Sequence, residues 1–118
     1  MASTYHDVYQ GWKADPEGFW KEQAGEIDWF TPFDKVFDAN EGVYGRWFTG
    51  ASCNTCYNAV DRHVERGRAG QAAIIYDSPI TGSQRTITYE ELKDEVEALA
   101  GVMQDRGIAK GDRVIIYM

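Results

Sequence analysis

Twelve of the sixteen aromatic residues, including all four tryptophans, lie within the first 48 positions. This crowding constrains the fold more than any other feature. A large aromatic ring covers roughly 150–250 Å² when buried. A segment this short has little interior in which to bury Trp12, Trp20, Trp29 and Trp47. The rings are therefore expected to dock onto a surface that the segment does not itself provide. It reads as a wrapping, not a self-contained core.

Within this part, Tyr5, Val8, Tyr9 and Trp12 fall at helical spacing and predict a helix over 4–14. A second helix follows in "DPEGFWKEQAGEI". Asp15 is placed to cap it, Pro16 fits the first helical position and Glu17 the first turn. Phe19, Trp20 and Ile27 form its expected buried side. The next stretch, "DWFTPFDKVFDANEGVYGRWFTGAS", keeps no period and reads as an ordered, extended loop pinned by aromatics. Asn54 then caps a helix over roughly 55–66, with Ala59, Val60 and Val64 inward and Gly67 ending it.

The texture changes near residue 69. "QAAIIYD" and "RTITY" read as strands joined by the turn-rich "SPITGSQ", a hairpin. "TYEE" is a capping box in which Thr88 caps and Glu91 reaches back. The helix it opens carries Tyr89, Leu92, Val96, Leu99 and Met103 at steps of three and four, and Gly107 closes it. After the turn "IAKGD", the run 113–118 reads as a buried strand. The order strand, strand, helix, strand is α/β grammar, with the last strand in a parallel or mixed sheet. Leaving Val114, Ile115 and Ile116 exposed would forgo roughly 1.5–3 kcal/mol each, against a whole-domain stability of roughly 5–15 kcal/mol. The chain is thus expected either to be part of a larger protein, the preferred reading, or to pair with another copy through 113–118.

Composition excludes some partners. The net charge is −7, with acidic and basic residues mixed, which argues against nucleic acid and anionic membrane surfaces. "MASTYHDVYQ" has neither the basic nor the apolar region of a secretory signal, and no apolar run approaches a membrane span. Two cysteines without such a signal point to reduced thiols in a cytoplasmic protein.

Candidate chemistry is sparse. "CNTC", Cys53 to Cys56, has the spacing of a redox pair or half a zinc site. Zinc needs four ligands, and only His63 is near in sequence, His6 being distant. No strand precedes the motif, so the cysteines read as structural or incidental thiols at a helix start. Asp61 and His63, two apart on a helix, face different ways, and His63 reads as a packing or surface residue. "TGSQRT" sets small polar residues beside Arg85 but lacks the glycine density and lysine of a phosphate loop, and reads as a hairpin tip. Read from the residues, the segment contains no catalytic, cofactor-binding or metal-binding residue.

The combined pattern nevertheless resembles a known family. "RWFTGASCNTCYNAVDRHVERG" followed by "AAIIYDSPITGSQRTITYEELKDEVEALAGVMQDRGIAKGDRVIIYM" is similar to the start of an AMP-forming acyl-CoA synthetase of the acetyl/propionyl branch. The arrangement carried by Trp47, Phe48, Asn54, Asn58, Asp61, Arg62 and His63 is typical of that branch's N-terminal extension. "TITYEEL" and "GDRVIIYM" resemble the opening of the large adenylate-forming domain. "YQGWKADPEGFWKEQAGEIDWFTPFDKVFD" and "NTCYNAVDRH" look more like the propionyl-CoA than the acetyl-CoA synthetases, where a leucine–asparagine pair is usual in place of Cys53–Asn54.

The resemblance implies an extension over 1–68 and the start of the adenylating domain over 69–118. It implies a ligase in which a small carboxylate attacks the α-phosphate of ATP, giving an acyl-adenylate and pyrophosphate. The CoA thiol then displaces AMP, and magnesium accompanies the nucleotide. The family's phosphate loop, acyl pocket, hinge and catalytic lysine match no position here. The implied role of these residues is structural, inactive alone, with the remainder of the adenylating domain as partner. A non-catalytic assembly module and a CxxC redox protein are the other readings.

Overall fold

Thr4 opens the first helix with a reciprocal cap: its hydroxyl accepts the Asp7 N–H at 3.3 Å while the Asp7 carboxylate accepts the Thr4 N–H at 3.0 Å. This helix, α1, runs Tyr5–Ala14 in a computed structural model that describes residues 4–117. The chain forms two compact units, whose boundary in sequence falls between Asn58 and Ala59.

In the first unit, the aromatic stripe expected on α1 forms, with Tyr5–Tyr9 and Tyr9–Trp12 ring centroids 6.0 and 5.6 Å apart. Tyr5, Val8 and Tyr9 stay exposed all the same. α2 (Pro16–Gln23) has Pro16 in its first turn, and Asp15 accepts the Gly18 N–H at 2.9 Å. A short 3₁₀ turn, Ala24–Glu26, follows. The expected inner side of α2 needs correcting. Ala24 is the buried residue and Phe19 is half-buried, while Trp20 and Ile27 are exposed and line an open apolar cavity.

The stretch read as an extended loop is an antiparallel hairpin of β1 (Lys35–Asp38) and β2 (Arg46–Thr49). Lys35 pairs with Thr49, Phe37 with Trp47 and Asp38 with Arg46. Aromatic pinning holds, but as the face of a small sheet. The hairpin escapes a reading by period because each strand has four residues and the connection is long. Gly42 and Gly45 bend that connection with φ of +76° and +72°, a conformation few residues other than glycine adopt cheaply. An isolated bridge between Thr31 and Ser52 extends the pairing.

The helix expected over 55–66 exists but is wound unusually wide. Its turns over Tyr57–Asp61 and Val64–Arg68 are π-type, closing i→i+5. That changes which residues face inward. Val60 is buried and Val64 half-buried, as expected, whereas Ala59 is exposed. A face drawn on a period of 3.6 does not survive π turns. Gly67, at φ +79°, breaks the helix as expected, with Arg66 already off helical geometry.

In the second unit, β3 (Ala72–Ser78) and β4 (Ser83–Thr88) form the expected antiparallel hairpin, with an irregularity between Ala72 and Ile74. Ile87 of β4 is buried. α3 (Tyr89–Asp105) starts at the expected box: Thr88 accepts the Glu91 N–H at 3.2 Å and donates its own N–H to Glu91 at 2.8 Å. The helix packs on both strands; Tyr89, Leu92, Val96 and Met103 are half-buried, while Leu99 is exposed. Gly107 ends it at φ +80°. Its N–H reaches the Gln104 carbonyl at 2.9 Å, and that of Ile108 reaches Met103 at 3.0 Å.

The strand expected over 113–118 does not form within the described residues, and Met118 lies outside them. Residues 112–117 join no sheet, and Val114, Ile115, Ile116 and Tyr117 are 54, 87, 75 and 99% exposed. A strand is a paired object, and the sheet of the second unit contains β3 and β4 alone.

Candidate functional surface

The first unit organises its rings around Phe48. Its centroid lies 5.5 Å from Trp29, 5.3 Å from Phe33 and 6.0 Å from Trp47. Trp47 in turn sits 4.8 Å from Phe37 and 6.5 Å from Trp20. Neighbours along a regular strand point to opposite faces, so rings of Trp47 and Phe48 should be far apart. Phe48 instead takes a left-handed backbone at φ +52°, which brings its ring back toward Trp47.

Beside this cluster lies a cavity of about 190 Å³ lined by Trp20, Gln23, Ala24, Ile27, Trp29 and Phe48. The Trp29 indole N–H is already given to the Ala24 carbonyl at 2.8 Å. What remains is nearly all carbon, a surface suited to an apolar side chain and not to a nucleotide. Asn58 holds the segment that carries Trp29. Its Oδ1 accepts the Asp28 N–H at 2.8 Å, and its Nδ2 donates to the Asp28 and Asn54 carbonyls at 3.1 and 3.0 Å. Asn54 caps the helix start, accepting the Tyr57 N–H at 3.1 Å. Both asparagines belong to the motif singled out in the sequence, but the clamp on Asp28 joins residues 30 apart, a pairing that spacing alone does not reveal.

The singled-out chemical residues are dispersed. Cys53 and Cys56 are exposed thiols flanking the Asn54 cap. His63 lies against the Tyr89 ring, 4.9 Å between centroids, and its Nδ1 is 3.1 Å from an Arg68 guanidinium nitrogen. His6 sits on α1, exposed. Asp61 lies in the π turn, close enough to Lys93 to act on its charge. Arg85 is on β4 opposite Tyr76, away from the hairpin tip, and is paired with Glu95 of α3. Among the described residues, no three His, Cys, Asp or Glu side chains gather as a metal site. The charge shifts belong to caps and surface pairs. Hydrogen bonds from Thr4 hold Asp7 below the usual carboxylate range, and those from Thr88 do the same to Glu91. The hydrogen bond with Lys35 lowers Asp38 and raises Lys35; Glu97 raises Lys93.

Comparison with known proteins gives these features a common frame. Residues 5–59 match the family model described as acetyl-coenzyme A synthetase N-terminus, and residues 60–118 that of AMP-binding enzyme. The human protein named acyl-CoA synthetase short-chain family member 3, mitochondrial, is 45% identical over 116 residues, covering 98% of this chain and 17% of its own length. An acetyl-coenzyme A synthetase of Mycolicibacterium smegmatis is 42% identical over 117 residues, covering 99% and 12%. The structure of acetoacetyl-CoA synthetase from Streptomyces lividans superposes with a TM-score of 0.77 at 25% identity, over 97% of this chain and 18% of that one. The chain thus spans less than a fifth of each relative, and its helices and small sheets are those of an α/β adenylate-forming enzyme. The chain belongs to the AMP-binding enzyme family, and it carries the N-terminal region of the acyl-CoA synthetases.

Proposed function

We propose that these residues are the leading structural portion of an AMP-forming acyl-CoA synthetase, with no catalytic, cofactor-binding or metal-binding residue of their own. Residues 1–68 are the extension whose aromatic face docks on the remainder of the adenylating domain, and 69–118 begin that domain. The observation that carries the reading is the succession of the two family matches over 5–59 and 60–118. ATP, magnesium and CoA are handled outside these residues. The carboxylate is propionate, in line with the texture of "YQGWKADPEGFWKEQAGEIDWFTPFDKVFD" and "NTCYNAVDRH". Acetate is the alternative, favoured by the name of the mycobacterial relative. The two thiols favour a reducing compartment, and we place the protein in the cytoplasm, although the human relative is named mitochondrial. Among the described residues no helix is long and apolar enough to cross a membrane.

A second reading, an assembly module that self-associates through 113–118, draws on the exposure of Ile115 and Ile116. Intact mass in the native source separates the two. A mass several times 13.4 kDa supports the synthetase, to be assayed by ATP–pyrophosphate exchange with propionate and acetate. A native mass of 13.4 kDa favours the module. Pure 118-residue chain is expected to show no exchange; measurable exchange would overturn the placement of the site elsewhere.

A further inference from the structure

The cavity of about 190 Å³ beside Phe48 has fixed walls, all of them in the first unit. The Trp29 indole N–H is anchored to the Ala24 carbonyl at 2.8 Å, and Asn58 grips both main-chain groups of the preceding Asp28. Phe48 is braced by the rings of Trp29, Phe33 and Trp47. Apart from the Gln23 amide and the two indole N–H groups, the lining side chains are carbon, and none is charged. A charged occupant would therefore go unpaired. An apolar cavity of about 150 Å³ holds a benzene molecule, so this one has room for one bulky aliphatic or aromatic side chain.

We propose that this cavity is a socket for one bulky apolar side chain carried by the same polypeptide beyond residue 118. The inference rests on the reading that residues 1–118 lead an acyl-CoA synthetase, and it gives the aromatic face one point of attachment. The human relative matched by 98% of this chain uses 17% of its own length in that match, which leaves the rest of such a polypeptide to supply the occupant. Size disfavours a second copy. Stable interfaces between separate chains engage roughly 20–30 residues a side, against the six that line this cavity. A side chain tethered in the same polypeptide escapes that requirement, because the chain sets its effective concentration. Trp20 and Ile27, 41 and 37% exposed, are the walls left for the occupant to cover. Since the walls are already held, filling the socket needs little rearrangement.

Intact mass first establishes whether the native polypeptide exceeds the 13.4 kDa of this chain. A native mass of 13.4 kDa would overturn the synthetase reading and the socket together. In the longer polypeptide, a diazirine amino acid in place of Ile27 reports the occupant by photo-crosslinking and peptide mass mapping. The expected adduct is intramolecular, to an apolar side chain beyond residue 118. Adducts found only within residues 1–118, on a second copy or with solvent would overturn the socket and leave the synthetase reading standing. Ile27→Cys supplies an independent measure, since peptide mapping separates its thiol from Cys53 and Cys56. Alkylation at position 27 by a neutral reagent should be at least about tenfold slower in the longer polypeptide than in the 118-residue chain. Equal rates in the two folded proteins would also overturn the socket.

Discussion

Asn58 satisfies both main-chain groups of Asp28, accepting its N–H at 2.8 Å and donating to its carbonyl at 3.1 Å. One side-chain amide does here what a paired strand does elsewhere, across a gap of 30 residues. Asn58→Ala removes both of these bonds to the half-buried Asp28 and should cost about 2 kcal/mol. Asn58→Asp keeps the acceptor and should cost less. Urea melts of the three chains test the ranking, and equal midpoints for wild type and Asn58→Ala would refute the clamp.

Gly45 and Gly42 separate backbone strain from crowding. Both have positive φ, but a methyl at Gly45 would meet the Phe37 ring, whereas one at Gly42 meets open space. Gly42→Ala should cost about 1 kcal/mol from backbone strain alone. Gly45→Ala should cost more and disturb the Phe37–Trp47 ring pair. Tryptophan fluorescence distinguishes them: a shift in Gly42→Ala as large as in Gly45→Ala would remove Phe37 from the explanation.

The Thr88–Glu91 box gives the start of α3 a pH dependence with a defined sign. Glu91 is lowered by the hydrogen bonds from Thr88, so the folded state prefers the carboxylate. Its contribution is complete above the ordinary glutamate range and fades as pH falls through the lowered value. Glu91→Gln should flatten this acid limb while keeping the helix. Thr88→Ala should cost about 1 kcal/mol at neutral pH. Stability followed from mildly acidic pH down through the carboxylate range checks both, and an unchanged acid limb in Glu91→Gln would assign it elsewhere.

Residues 114–117 form an exposed apolar run, which in isolation offers strand-like edges to other copies. Sedimentation of the 118-residue chain should show concentration-dependent association. Ile115→Lys with Ile116→Lys should abolish it, because charge on an edge opposes pairing. A monomer at all concentrations before mutation would remove 113–118 as an association site.

Much of the second unit is legible from sequence because its signals are local. Thr88 and Glu91 lie three apart, Gly107 closes α3 in place, and Ile87 falls in an alternating run. The hairpin Lys35–Asp38/Arg46–Thr49 is not legible: its short strands are joined by a long bend and register comes from Phe37 meeting Trp47. A regular helical period turns Ala59 inward, and the π turns replace that period. The apolar character of 113–117 is plain, but strand pairing depends on a partner that local residues do not specify. For the site, the motif containing Asn54 and Asn58 is visible in the residues themselves, while the grip on Asp28 and the ring cluster around Phe48 exist only once the chain has folded.

The left-handed backbone at Phe48 places two demands on one position. The main chain at φ +52° suits glycine, and the ring cluster with Trp29, Phe33 and Trp47 needs an aromatic. No residue meets both. Glycine would relieve about 1–2 kcal/mol of conformational strain and forfeit about 3–5 kcal/mol of packing, while other aromatics keep the strain. The position is locally frustrated, and its accessible substitutions reduce to Tyr and Trp, each retaining the strained turn that brings neighbouring rings together.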